Sequence, residues 1–348
     1  MKIQTKQLGS LLLAAAIAIG GVTASFSELH AASSNSQTAQ QTQVTLKWNG
    51  KALETKGLLI KGQTLIPIAA LRDDLKLPVA YNASEKAYTI GANYNKLTIS
   101  TGYDEPYVGV NGVSTDDMKA QLINGKLYIP IGNLKVYLGI DAAWNAPAKT
   151  VSMTKGQRNE ISIRTVNLSQ EKMDTATYDL KYPQFAGSQA GVEKMNAVLK
   201  QHAEQVLAQA KQQMQEMGGS PANQPSKFES TYVVTYNRGG YVSLIMQDYS
   251  YLGSFDGTTS RTGYTFSLAD GAQLELGDVL KANPDYKKAM LKKVQDKDGF
   301  FRRGLSDHSD FYVTGTGVAI FIQTYEFISD YYFAFTDLLP AGAKPFSG

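Results

Sequence analysis

The chain has 348 residues, with 34 basic and 31 acidic side chains, a formal net charge of +3 and no cysteine. That length gives room for two domains of ordinary size. Such an even charge balance, without basic residues interleaved with aromatics, argues against a nucleic-acid partner. The lack of thiols excludes disulfide scaffolds, thiolate zinc sites, cysteine nucleophiles and lipidation at a cysteine.

The first element is a leader. Lys2 and Lys6 precede an apolar run from Leu11 to Val22, and small residues follow at Ala31 and Ala32. Charge, apolar stretch and small-residue site in this order read as a signal peptide over 1–32, cleaved after Ala31 or Ala32. The run falls short of the ~20 residues of a membrane span, and no later segment is apolar enough to cross, so no membrane span is expected in the mature form. Residues 33–43, rich in Ser, Gln, Thr and Ala, read as a disordered linker.

An internal repeat follows. Ile60-Lys61-Gly62-Gln63-Thr64-Leu65-Ile66-Pro67-Ile68 matches Ile123-Asn124-Gly125-Lys126-Leu127-Tyr128-Ile129-Pro130-Ile131 at an offset of 63. The offset carries Leu71, Leu75 and Leu77 onto Leu134, Leu138 and Ile140, and Tyr81-Asn82-Ala83 onto Trp144-Asn145-Ala146. Asn49-Gly50 and Asn111-Gly112 suit tight turns needing positive φ between short alternating strands. Pro67 and Pro130 restrict their strands to an edge or an end, and Leu71 and Leu75, four apart, mark a short helix.

These residues resemble the copper amine oxidase N-terminal-like domain, found often alone in Gram-positive secreted proteins. The likeness covers about 44–155, as repeats 44–90 and 107–153. It implies a structural or envelope-attachment role, since in the oxidases this domain is a stalk away from the copper. No histidine cluster here could ligate that metal.

A second domain is expected over 158–345. Tyr178 to Tyr182 alternates, and Val192, Met195, Leu199, Val206, Ala210, Met214 and Met217 form one face of a long helix closed by Gly218-Gly219. Ser230 to Tyr236 and Tyr241 to Tyr251 read as a hairpin joined at Asn237-Arg238-Gly239-Gly240. Gly263 to Leu268 and Gln273 to Leu276 read as another. Asn283-Pro284 starts a lysine-rich helix reaching about Asp298, and Phe311 to Val313, Gly317 to Ile322 and Tyr325 to Phe335 are strand-like. The fold class expected is therefore α+β: a duplicated β-rich module with short helices, then an antiparallel sheet packed with one long and one shorter helix.

The order of Tyr182-Pro183-Gln184, Asn196, Tyr249-Ser250-Tyr251, Phe266-Ser267-Leu268, Leu276-Gly277-Asp278-Val279-Leu280, Phe311-Tyr312 and Tyr325-Glu326 resembles a bacterial extracellular module over about 160–340. That module is shared by a lysozyme-sensing anti-sigma factor and a peptidoglycan deacetylase, where it precedes the catalytic domain. Where the family has a Gly-Gly-Ala-His-Gly-like turn, this chain reads Gly253-Ser254-Phe255-Asp256-Gly257. With about ten residues before the apolar run, no cytoplasmic sigma-binding segment is expected.

Catalytic signatures are sparse. After the leader only His202 and His308 remain, against the several His and Asp ligands a deacetylase zinc site needs. His202 reads as a surface residue on the polar side of its helix, and Asp307-His308-Ser309-Asp310 as a solvated loop. Asp296-Lys297-Asp298-Gly299 lacks the later ligands of a calcium loop. Glycosidases need only two carboxylates, for which Glu326 and Asp330 are the candidates. The chain is expected not to be an enzyme, with no cofactor and no metal.

The 20 tyrosines suit both strands and a recognition surface. Alternation places Tyr249 and Tyr251 on one face of their strand, either packing over the long helix or available to a ligand. The candidate binding residues are Tyr249, Tyr251, Phe255, Tyr325 and Glu326. The ligand expected is a cell-wall glycan or a secreted protein such as lysozyme, bound outside the cell or at the wall. The alternatives are an accessory glycan-processing module and a purely structural wall protein.

Overall fold

The computed structural model describes residues 41–347 except 92–93, 115–118, 174, 220–223, 254–255, 296–310 and 324–327. The expected leader and most of the expected linker lie outside the described residues. Thr42 and Gln43, assigned to that linker, already pair with Leu59 and Leu58.

The repeat region begins with β1 (Thr42–Trp48), β2 (Lys51–Ile60), β3 (Gln63–Pro67), α1 (Ile68–Asp73), β4 (Val79–Asn82) and β5 (Ala87–Ile90). It continues with β6 (Leu97–Ser100), β7 (Tyr107–Val110), β8 (Val113–Ser114), β9 (Gln121–Ile123) and β10 (Lys126–Pro130). There follow α2 (Ile131–Asn133), a π-helical turn at Leu134–Leu138, β11 (Ile140–Asn145) and β12 (Thr150–Lys155).

The repeated motifs have local causes. Asn49-Gly50, Lys61-Gly62, Asn111-Gly112 and Asn124-Gly125 all hold positive φ at both residues, the tight hairpin turn whose twist matches its strands. Asn82 and Asn145 each accept a backbone N–H with Oδ1, from Ser84 and Ala148, both at 3.1 Å. Lys86 and Lys149 then take φ of 49° and 45° to close the turn. Pro67 and Pro130 end their strands and lead directly into helices.

The repeats do not close on themselves. One sheet runs β11-β12-β1-β2-β3-β10-β9 and the other β4-β5-β6-β7-β8, so both draw strands from each repeat. The opening hairpin of the first repeat completes the sheet of the second, with β1 parallel to β12. Leu46, Ile66, Leu71, Ile90, Ile99, Ile129, Leu134 and Met153 fill one shared core.

The second region holds β13 (Ser162–Lys172), β14 (Ala176–Ala186), α3 (Val192–Met217), β15 (Ser226–Arg238), β16 (Tyr241–Tyr251) and β17 (Thr258–Ser267). After these come α4 (Leu276–Val279), α5 (Tyr286–Gln295), β18 (Phe311–Val313), β19 (Gly317–Gln323), β20 (Ile328–Ala334) and α6 (Phe335–Leu338). The five-stranded sheet β13-β14-β15-β16-β17 is not purely antiparallel, as the sequence had implied. β14 and β15 run parallel because α3 is their crossover. The expected hairpin of 263–268 with 273–276 is also replaced: β17 spends its length on β16, leaving Phe266↔Gln273 as a single bridge. Leu276 instead opens α4, where Glu275 and Asp278 form a reciprocal capping box.

Met195, Leu199 and Ala203 of α3 pack on Tyr232, Val234, Leu244, Met246 and Phe266 of the sheet. The sheet's other face meets β18-β19-β20 through Ile245, Tyr312, Ala319 and Phe321. Tyr286 and Met290 of α5 join Phe311, Val313 and Phe333 beneath it.

The two regions meet along β15. Val233 belongs to the core of the repeat region. Asn95 Nδ2 donates to the Val234 carbonyl at 2.7 Å while its Oδ1 accepts from the Val234 N–H at 3.1 Å. One side-chain amide thus takes the place of a neighbouring strand. Asn111 Nδ2 donates to the Tyr232 carbonyl at 2.7 Å, and Thr231 Oγ1 donates to the Asn111 carbonyl at 2.9 Å.

Candidate functional site

β16 pairs with β17 in unbroken register from Tyr241 to Ser250, so strand alternation fixes which side chains share a face. Leu244 and Met246 lie in the core under α3, and Asp248 continues their face. Ile245 packs against the β18–β20 sheet. Tyr249 and Tyr251 continue the face of Ile245, so they do not pack over the long helix. Both are half-buried, beyond the clusters of buried core residues. The Tyr249 ring lies against Gly257, where a Cβ would meet its hydroxyl and ring carbons. Phe255, Tyr325 and Glu326 lie outside the described residues, as do 296–299 and 307–310.

On the opposite face the structure holds a polar chain that the sequence did not reveal. Ser230 Oγ donates to Asp248 Oδ1 at 2.6 Å. His202 bridges Asp248 Oδ2 at 2.9 Å and the Tyr264 hydroxyl at 3.0 Å, one through each ring nitrogen. His202 and Asp248 side chains are only 12% and 13% exposed, so the expectation of a surface histidine is overturned. Its position gave the one available signal: three after Leu199 and four before Val206, His202 falls along the buried stripe of the helix. Burial pushes the Tyr264 hydroxyl up to about 12, with the nearby Asp248 carboxylate adding to the effect. Beside this chain a cleft of about 290 Å³ opens between α3 and the sheet, with Gln205, Gln209, Ser250 and Ser260 among its walls.

Asp330, considered above as a glycosidase carboxylate, is an ion-pair partner of Arg261 at 2.9 Å, the two side chains being 10% and 8% exposed. Arg261 also donates to Gln247 Oε1 at 2.9 Å and to the Ser114 carbonyl at 3.3 Å. This guanidinium ties the two sheets of the second region to β8, and its carboxylate partner is committed to that junction. Among the described residues no group of three or more His, Asp or Glu side chains is placed to hold a metal ion, and no helix is long and apolar enough to cross a membrane.

Two family models match, each to one part of the chain. The copper amine oxidase N-terminal domain matches residues 47–159, and the family described as deacetylase PdaC matches 169–259. The second match runs from β13 to the start of β17 and so contains the tyrosine strand, Asp248 and His202. Among curated proteins, the chain is similar to the peptidoglycan-N-acetylmuramic acid deacetylase PdaC of Bacillus subtilis (strain 168). The two are 22% identical over 171 residues, which make up 45% of this chain and 36% of that protein. The chain therefore spans about a third of the length of that relative. Two solved structures of the DUF3298 family are also similar. One from Bacteroides fragilis has a TM-score of 0.35 at 12% identity, over 51% of this chain and 90% of its own. One from Pseudomonas aeruginosa has a TM-score of 0.32 at 12% identity, over 51% and 91%.

Proposed function

We propose that this is a secreted, non-enzymatic cell-envelope protein that binds a ligand, a lysozyme-like protein or peptidoglycan, through its second region. The observation that carries the reading is the tyrosine end of β16. Tyr249 and Tyr251 lie half-buried on the face away from α3, outside the buried clusters, and the Tyr249 ring passes close to Gly257. Half-buried tyrosines lose less freedom on binding than fully exposed side chains and offer wide contact area. The similarity to a protein named for action on peptidoglycan supports an envelope setting. The leader read at 1–32 supports secretion.

The test is a pull-down of residues 33–348 against purified peptidoglycan and against lysozyme at physiological salt, repeated with Tyr249→Ala, Phe255→Ala and Tyr325→Ala. Binding to either ligand that weakens in these variants, with the fold retained, supports the reading. Binding indifferent to all three moves the site elsewhere.

A second reading is an accessory module in glycan processing. It is favoured by the His202–Asp248 pair beside a polar cleft, since a glycan-processing site needs a carboxylate or imidazole within reach of the sugar. Turnover of wall fragments that is lost in Asp248→Asn would favour this second reading over the first.

A further inference from the structure

A groove lies in the repeat region, far along the chain from the tyrosines of β16. It measures about 820 Å³, within the range of sites that bury a small ligand. Its walls come from both repeats, with residues of β2, α1 and the β4–β5 hairpin from the first and of β9 and β10 from the second. The groove therefore exists only because the repeats interlock.

Two features of its lining point to a ligand. Tyr81 and Tyr88, directly opposed across β4 and β5, bring their rings to 4.6 Å at an interplanar angle of 43°. Tyr81 is 52% exposed and lines the groove. At the matching position of the second repeat, Trp144 is also exposed, but it stands opposite Val151, which is buried. The ring pair is thus particular to this groove. The charges are also uneven. Arg72 is held by the adjacent Asp73 at 2.7 Å. Lys56 and Lys126 have no ion-pair partner among the described residues, and they share the groove with the acidic Glu54.

We propose that this groove is a second, independent binding site, which takes a linear glycan carrying carboxylates. Tyr81 and Tyr88 form the platform for a sugar ring, and Lys56 and Lys126 meet the acidic substituents. Adjacent rings suit flat sugar faces, and an open groove with a cationic rim suits a chain that enters and leaves it.

The test uses residues 33–348 titrated by calorimetry with a tetrasaccharide of alternating N-acetylglucosamine and N-acetylmuramic acid, and with neutral chitotetraose. The acidic glycan is expected to bind more tightly, with an affinity that falls as salt rises. Tyr81→Ala should weaken binding about tenfold, as loss of a central aromatic anchor does, whereas Tyr81→Phe should stay within about threefold. Lys56→Gln combined with Lys126→Gln should abolish the salt dependence. Trp144→Ala should leave the affinity unchanged. Equal binding of the two glycans, equal losses in Tyr81→Ala and Trp144→Ala, or no binding of either glycan would overturn the proposal.

Discussion

Ile66 and Ile129 stand opposite each other at the centre of the β3–β10 ladder, flanked by Pro67↔Tyr128 and Leu65↔Pro130. Each pairing is the image of the other under the repeat offset, so the local two-fold axis of the duplicated region passes between these two isoleucines. Both are fully buried. A single repeat, 44–90, should therefore remain unfolded by circular dichroism and amide dispersion, while 41–159 folds. Ile129→Ala should destabilise the whole region by about 2–5 kcal/mol, measured by denaturant unfolding.

Asn133 is fully buried, and neither of its amide atoms has a hydrogen-bond partner among the described residues. The repeat offset places Ala70 at the equivalent position, also fully buried. An unpaired buried amide costs about 1–3 kcal/mol, more than the few contacts its side chain supplies. Asn133→Ala is expected to raise the melting temperature. A lower value would show that the amide has a stabilising partner.

The amide of Asn95 hydrogen-bonds to both backbone groups of Val234, across the junction between the regions. Asn95→Ala leaves a buried N–H and a buried carbonyl unmet, which should cost about 2 kcal/mol or more. Asn95→Asp keeps the acceptor but loses the donor, and should be no better. Hydrogen exchange at the Val234 N–H should be faster in Asn95→Ala than in Asn95→Asp, which keeps its acceptor.

Buried tyrosines make stability sensitive to alkali. Burial raises the hydroxyls of Tyr232 and Tyr236 above their ordinary value, and that of Tyr264 to about 12. A group whose folded value lies above its unfolded value of about 10 contributes fully below that pH. Its contribution drains away as the pH climbs through the folded value. The melting temperature should fall between about pH 10 and 12. Tyr264→Phe should make that fall shallower while costing about 1 kcal/mol at neutral pH, through the lost bond to His202.

Much of the repeat region was legible because its signals are local. Asn-Gly turns, a proline at a strand end and leucines four apart each act within a few residues; the structure places the turns and prolines as read, while α1 ends at Asp73 and leaves Leu75 just beyond it. Hidden from the sequence was the exchange of strands between repeats. That depends on which of two similar edges a hairpin joins, and both edges carry nearly the same pattern. The same limit applied in the second region. The stripe of α3 was visible from spacing, but the parallel pairing of β14 with β15 follows from how the helix crosses the sheet. His202 was misplaced because its partners, Asp248 and Tyr264, lie 46 and 62 residues away. Of the candidate binding residues, alternation correctly put Tyr249 and Tyr251 on a shared face, though it could not say which face.

The exchange of strands also determines how the repeat region would respond to a pull. Its first strand, β1, lies parallel to its last, β12, with Thr45↔Thr150 through Trp48↔Met153 in register. Backbone bonds from the Thr45 and Asn49 N–H groups to the Lys149 and Met153 carbonyls, each 2.9 Å, close the two ends of that ladder. Tension between residues 42 and 155 would drag these neighbours past each other lengthwise. Every rung would then have to shear together, instead of opening one at a time like a zip. A module tied in this way keeps its shape under stretching.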